Sequence, residues 1–218
     1  MKHLLLILIY KLLMPLFLKI IGVKVSSKKP LPIHTPYIIV ANHNSHLDTM
    51  ALLSQIPAKD LLRTHPVAAA TYFGRNNWLS ILSNIFVNTL LIKRREEGGT
   101  SDALELISQY LEKRHSLIIF PEGSRGEPEK MQAFRKGIGV LLQKHPHIPY
   151  VPVYIQGTGK ILPKGERLLV PYDAEVRIGE AIHAQSKEID TILIEVQDAI
   201  LALKDYKWMQ RNSSASWC

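Results

Sequence analysis

Two short apolar runs, each emptying into a polar loop, constrain this chain more than anything else in it. Tyr37-Ile38-Ile39-Val40-Ala41 runs into Asn42-His43-Asn44-Ser45-His46-Leu47-Asp48, and Ser116-Leu117-Ile118-Ile119 runs into Phe120-Pro121-Glu122-Gly123-Ser124-Arg125-Gly126. Short β-branched runs bounded by polar residues read as buried strands leading into loops. In open α/β sheets, ligands bind at the loops beyond the carboxyl ends of the strands. A histidine, two carboxylates and an arginine are therefore expected on one edge of one sheet. That arrangement suits proton transfer beside an anionic substrate.

The rest of the chain alternates in the same way. Helical spacing is present over Leu47–Ile56, over Asn76–Phe86, from a cap at Thr100 or Ser101 through Lys113 after the Gly98-Gly99 break, near Ile138–Lys144, and over Ile189–Lys207. Strand-like runs lie at His65–Ala70, Val87–Ile92, Tyr150–Gln156, Leu168–Val170 and Glu175–Ile178, with Pro152 pointing to an edge or irregular position for its strand. Alternating strands and helices predict an α/β fold. We expect one domain over 26–210, a mixed β-sheet flanked by helices, with a frayed tail over 211–218.

Residues 4–23, LLLILIYKLLMPLFLKIIGV, are the exception to this alternation. Lys11 and Lys19 interrupt the run and Pro15 should kink a helix there, so the uninterrupted pieces fall short of the roughly 20 residues a bilayer span needs. The three lysines Lys2, Lys11 and Lys19 fall on different sides of a regular helix, although long lysine stems can snorkel to headgroups. A signal peptide is the rival reading, but Val23-Lys24-Val25-Ser26-Ser27 makes a poor cleavage site; a core helix is the other. We expect a membrane-associating helical segment over 1–25, followed by a polar, proline-containing connector over Ser26–Pro36.

Charge narrows the partners. The 218 residues carry 27 Lys plus Arg against 19 Asp plus Glu, a net charge of +8, which favours an anionic partner. Nucleic acid is disfavoured, because no zinc finger, basic helix or single-strand stacking signature is present. An acidic membrane surface is the remaining choice. The one cysteine, Cys218, excludes a disulfide framework and points to a reducing compartment.

His43 and Asp48 are five residues apart, about 140° around a continuous helix. They can touch only if His43 sits in the loop or first turn and Asp48 a turn into the helix. A carboxylate accepting the imidazole Nδ1–H would fix the tautomer and leave Nε2 to take a proton from a hydroxyl. The bland alternative is a capping aspartate beside a solvated histidine. A metal site is disfavoured, because His43, His46 and Asp48 lack a further ligand cluster. In the second motif Glu122 is projected from a strand end and Arg125 offers a fork suited to phosphate, unless the two simply form a surface ion pair. Arg94, after Ile92-Lys93, is a second candidate anion clamp or part of a solvated basic cluster, and Phe134-Arg135-Lys136-Gly137 adds further positive charge.

Asn42-His43…Asp48, Ile92-Lys93-Arg94, Phe120-Pro121-Glu122-Gly123-Ser124-Arg125 and Val151-Pro152-Val153 stand in the order and rough spacing of the glycerolipid acyltransferase family. Over about residues 30–180 the chain resembles 1-acyl-sn-glycerol-3-phosphate and related lysophospholipid acyltransferases. The resemblance implies that His43 is the general base and Asp48 orients it. Arg94 and Arg125 would bind the acceptor's phosphate, with Glu122, Gly123 and Ser124 also at the acceptor. The acyl donor would be acyl-CoA or acyl carrier protein, attacked directly with no acyl-enzyme, no cofactor and no metal. A lysolipid acceptor places such a protein at the cytoplasmic face of a membrane, in bacteria the inner one. The chain departs from the family in the run Val87–Arg94, which has no glycine ahead of Ile92-Lys93-Arg94, and in Ala68–Gly74, where a Lys-Glu-Leu-like segment is often found. A hydrolase giving the acyl group to water and a catalytically silent membrane-binding protein are the rival functions.

Overall fold

The structure, a computed structural model, describes residues 2–27, 29–31, 36–69, 87–92, 102–163 and 168–204. Its centre is a seven-stranded sheet in the order β1-β7-β6-β2-β5-β3-β4. The strands are β1 (Val23–Ser27), β2 (Ile38–Ala41), β3 (Thr64–Ala69), β4 (Leu90–Ile92), β5 (Ser116–Ile119), β6 (Tyr150–Gln156) and β7 (Ala174–Ile178). Strands β6, β2, β5, β3 and β4 are mutually parallel. β7 runs antiparallel to β6, and β1 runs parallel to β7, so the sheet is mixed.

Both faces of the sheet are covered, which is why the central strands read as continuous apolar runs. Along β2, Ile39 and Ala41 face one core with Val151, Val153 and Ile155 of β6, Leu52 and Leu53 of helix α3 (His46–Gln55), and Ile56 just after it. Ile38 and Val40 face the other core with the helices α4 (Asp102–Glu112), α5 (Gly137–Lys144) and α7 (Ile189–Leu201), which contribute Ile107, Leu141 and Val196 among others. A single turn, α6 (Thr158–Ile161), follows β6.

The N-terminal segment is helical from Lys2 to Ile20: α1 (Lys2–Ile7), a π-helical stretch Leu8–Leu13, and α2 (Met14–Ile20). Pro15 is the second residue of α2, directly after the π-helical stretch, where Met14 N–H reaches back to Ile9 O, so the proline without an N–H sits where the helical bonding changes register. Leu6, Tyr10 and Leu18 are buried against the α3 side of the sheet. Lys11 is turned inward and donates from Nζ to the carbonyl oxygen of Ser54 at 2.6 Å, and partial burial lowers its pKa. Leu4, Leu8, Leu12, Leu16 and Ile20 stay exposed on the opposite side. The segment therefore has an apolar face toward the domain and a second apolar face toward the outside. β1 pairs with β7 from Val23 to Ser27, taking in the end of the expected helical segment and the first two residues of the expected connector.

Other sequence expectations need correction. Leu168–Val170 forms no strand and lies exposed, tied by Val170 N–H to Ile161 O at 3.0 Å. The last helix ends at Leu201 in a turn over 202–204, and the expected β-run Val87–Ile92 is a strand only over Leu90–Ile92. β6 is an interior strand despite Pro152. The irregularity lies in its partner: three steps along β6 from Tyr150 to Val153 face four on the β7 side, from Ile182 back to Ile178. The ladder is bulged beside Pro152, so the missing N–H removes no regular bond. The helix expected over Asn76–Phe86, the Gly98-Gly99 break, the cap at Thr100 or Ser101, Arg94 and Cys218 lie outside the described residues.

Candidate active site

β2 lies between β5 and β6, and all three run in the same direction. The loops at their carboxyl ends therefore emerge side by side, and they carry the two polar motifs and the turn after β6. Asn42 continues the β2–β6 pairing with its side chain: Nδ2 donates to Ile155 O and Oδ1 accepts from Ile155 N–H, both at 2.7 Å. Asn44 Nδ2 donates to the same carbonyl at 2.8 Å. The loop is thus clamped to β6 on either side of His43.

Ser45 caps α3, and Asp48 closes the capping box from the third helical position. Asp48 is wholly buried, and both oxygens of its carboxylate accept hydrogen bonds. Oδ2 accepts from Asn44 N–H at 2.6 Å, Ser45 N–H at 2.8 Å and His43 Nδ1 at 3.0 Å. Oδ1 accepts from Thr158 Oγ1–H at 2.6 Å. His43 lies in the loop, so the five-residue separation closes as the spacing required. An ionised carboxylate only accepts, so Nδ1 carries the proton and Nε2 is the basic nitrogen. Phe120 stacks on the imidazole with ring centroids 3.9 Å apart and planes 19° from parallel, fixing the ring's tilt.

The second motif closes the site from the β5 side. Glu122 is 3% exposed; Oε1 accepts from His43 N–H at 2.9 Å and Oε2 from Gln132 N–H at 3.0 Å. Burial raises its pKa, opposed by those two backbone bonds and by His43. Glu122 thus holds the two motif loops to each other and to the strap over 127–135. Gly123 has φ +78°, and a Cβ there would stand 2.6 Å from Arg135 Nε, so the Arg135 side chain crosses directly over this turn. Ser124 is exposed and Arg125 partly exposed. Arg125 acts electrostatically on His46, the first residue of α3; desolvation, Arg125 and His43 lower the His46 pKa to about 4. Arg125 therefore stands close to the His43 loop, on the side of His46. β4 points toward the same edge of the sheet, and Arg94 follows it beyond the described residues.

Among the described residues no group of three or more His, Cys, Asp or Glu is placed to hold a metal ion. Ser45 is occupied as a helix cap and donates from Oγ to Leu162 O at 3.0 Å. What the sequence reading missed is Thr158. Its signal is Gly157-Thr158-Gly159 directly after a strand of the central sheet, a place where a small polar residue between glycines marks a tight approach.

A family model described as Acyltransferase matches residues 22–156, a span that holds both motifs and the strand carrying Pro152. The chain belongs to the acyltransferase family. Among similar acyltransferases, the chloroplastic 1-acyl-sn-glycerol-3-phosphate acyltransferase BAT2 of Brassica napus is 28% identical over 71% of this chain and 43% of its own length. The human 1-acyl-sn-glycerol-3-phosphate acyltransferase alpha is 25% identical over 72% of this chain and 54% of its own. The chain thus spans about half the length of the curated relatives it matches. The crystal structure of the 1-acyl-sn-glycerophosphate acyltransferase PlsC from Thermotoga maritima shares the fold, with a TM-score of 0.63, 24% identity, and coverage of 85% of this chain and 73% of that one.

Proposed function

We propose that this acyltransferase moves a fatty acyl group from acyl-CoA or acyl carrier protein to the free hydroxyl of a lysophospholipid, with 1-acyl-sn-glycerol-3-phosphate as the acceptor and phosphatidic acid as the product. The observation that carries the reading is the His43–Asp48 pair, with Nδ1 bound to a buried, fully engaged carboxylate. His43 Nε2 takes the acceptor's hydroxyl proton as the oxygen attacks the thioester carbonyl. The C–O bond forms, the C–S bond breaks, and the imidazolium returns its proton to the departing thiolate. Arg125, with Arg94, receives the acceptor's phosphate, as guanidinium forks suit that group. The names of the similar proteins support the acceptor.

The same reading takes the protein to a membrane surface. Leu4, Leu8, Leu12, Leu16 and Ile20 expose a continuous apolar row on the N-terminal helix. Leu168, Leu169, Val170 and Tyr172 are exposed nearby, with Tyr172 N–H bonded to Ile21 O at 3.2 Å. Exposed apolar surface of this extent marks an interaction site, and basic residues flanking it suit anionic headgroups at about 1 kcal/mol per nearby Lys or Arg. With its other face in the core, the helix lies along the bilayer interface on the cytoplasmic side.

The test is CoA release from a long-chain acyl-CoA by detergent-solubilised protein across a panel of lysolipids, with acyl carrier protein thioester as a second donor. Release requiring 1-acyl-sn-glycerol-3-phosphate, and falling roughly 10²–10⁴-fold in His43→Ala, is the expected result. Release without an acceptor would make the protein a hydrolase. Absence of release from either donor would leave a membrane-binding protein.

A further inference from the structure

Thr158 is wholly buried, and its hydroxyl donates to Asp48 Oδ1 at 2.6 Å across 110 residues of sequence. The three other donors to Asp48 all meet Oδ2. The carboxylate therefore has two unlike ends. Oδ2 is held by groups of its own loop, which form whenever that loop closes on α3. Oδ1 is held by a residue of the turn that follows β6. We infer that Thr158 is a positioning residue of the acyl-transfer reaction, its hydroxyl fixing the rotation of the Asp48 carboxylate so that Oδ2 stays aimed at His43 Nδ1. The inference rests on the reading of His43 and Asp48 as the base pair.

The backbone around Thr158 is built to bring this hydroxyl to that oxygen. Gly157 leaves β6 with φ +81°, where an added Cβ would sit 2.6 Å from Asp173 O. Its N–H donates to Glu129 Oε1 at 2.8 Å, which ties the turn to the strap that also serves Glu122. On the other side of Thr158, an added Cβ at Gly159 would lie 3.0 Å from Pro128 Cβ and 3.3 Å from Asn44 Cβ. Two glycines thus let the turn press against the His43 loop and the strap together. In a dry site, a carboxylate oxygen that loses its donor either rotates toward another or becomes easier to protonate. Either outcome weakens the hold on the imidazole without touching substrate.

The test compares Thr158→Val with Thr158→Ser in steady-state acyl transfer, with melting temperatures recorded alongside. Thr158→Val keeps the shape and removes the donor; kcat should fall about 10–100-fold, the span of a charge-assisted hydrogen bond, with KM for both substrates within about twofold. Thr158→Ser, which restores the hydroxyl, should recover kcat to within about threefold of wild type, a margin of under 1 kcal/mol. In an Asp48→Asn background the Thr158→Val loss should shrink to less than about threefold, because Thr158 acts only through the carboxylate. Equal loss in Val and Ser variants, an undiminished loss beside Asp48→Asn, or an unchanged kcat in Thr158→Val would each overturn the inference. Thr158→Cys, with a weak donor of similar size, gives the same reading if the valine variant does not fold. His43→Ala is run in parallel: retained activity there sinks the base-pair reading itself, whatever Thr158 does.

Discussion

Glu122 Oε1 accepts the backbone N–H of His43 at 2.9 Å, so the second motif holds the main chain of the first. The other oxygen takes Gln132 N–H at 3.0 Å. The carboxylate that the family resemblance assigns to the acceptor is thus also the clasp between two loops. Glu122→Gln puts an amide N–H₂ against one of those donors, and the orphaned group costs about 1–3 kcal/mol. Activity should fall with the melting temperature. The pH dependence is specific. Burial raises the Glu122 pKa above its ordinary 4.5, so its contribution to stability is fully present below that value and is lost as pH rises through the raised one. Glutamine does not ionise, so the Tm difference, variant minus wild type, should increase with pH across that window. A flat difference between acid and neutral pH would contradict this.

Gly123 turns the chain at φ +78° beneath Arg135. Gly123→Ala meets two penalties, a left-handed backbone and a Cβ 2.6 Å from Arg135 Nε. The backbone strain alone costs about 1–3 kcal/mol. Because Arg135 can swing away, the expected outcome is a modest loss of Tm with a larger loss of activity, read by thermal melts and the CoA-release assay.

Histidines make the fold sensitive to acid. Burial, with Arg63 and Lys113, lowers the pKa of His115, whose Nδ1 shares a hydrogen bond with His65 Nε2 at 2.7 Å. Burial lowers that of His145 and brings His46 to about 4. A depressed folded pKa gives stability that is present above the unfolded value, about 6.5, and lost as pH falls through the folded one. Urea midpoints should therefore drop as pH falls from about 6.5 toward about 4. The slope should be shallower in His115→Gln. Equal slopes in the two proteins would remove His115 from the account.

The outer row of the N-terminal helix gives a prediction that separates binding from folding. Leu8 and Leu12 are 47% and 63% exposed. Leu8→Glu with Leu12→Glu should weaken sedimentation with vesicles containing anionic lipid by about 100-fold or more, since each leucine buried in lipid contributes about 1.5–3 kcal/mol. The melting temperature in detergent-free buffer should barely move, as exposed sites change stability by about 0.5 kcal/mol or less. Unaltered vesicle binding would remove this face from membrane contact.

Much of the site was legible because its chemistry is local. The polar loop after Val40-Ala41 and the capping aspartate at the third helical position place His43 Nδ1 against Asp48 by backbone geometry alone. The N-terminal segment was harder to read. Its apolar residues serve two environments, and a π-helical stretch shifts the phase of the spacing, so the sequence shows no single stripe. Leu168–Val170 looked like a strand because an exposed apolar run has the same composition as a buried one.

By itself the sequence located the strands other than β1, the polar loops that end β2 and β5, and the spacing that allows His43 to meet Asp48, since these depend on residues close together in the chain. Only the tertiary structure decided that β5 and β6 flank β2. That order brings Glu122 to His43 across 79 residues and Thr158 to Asp48 across 110. Strand order is set by how two cores pack on the faces of one sheet, and no local periodicity encodes it.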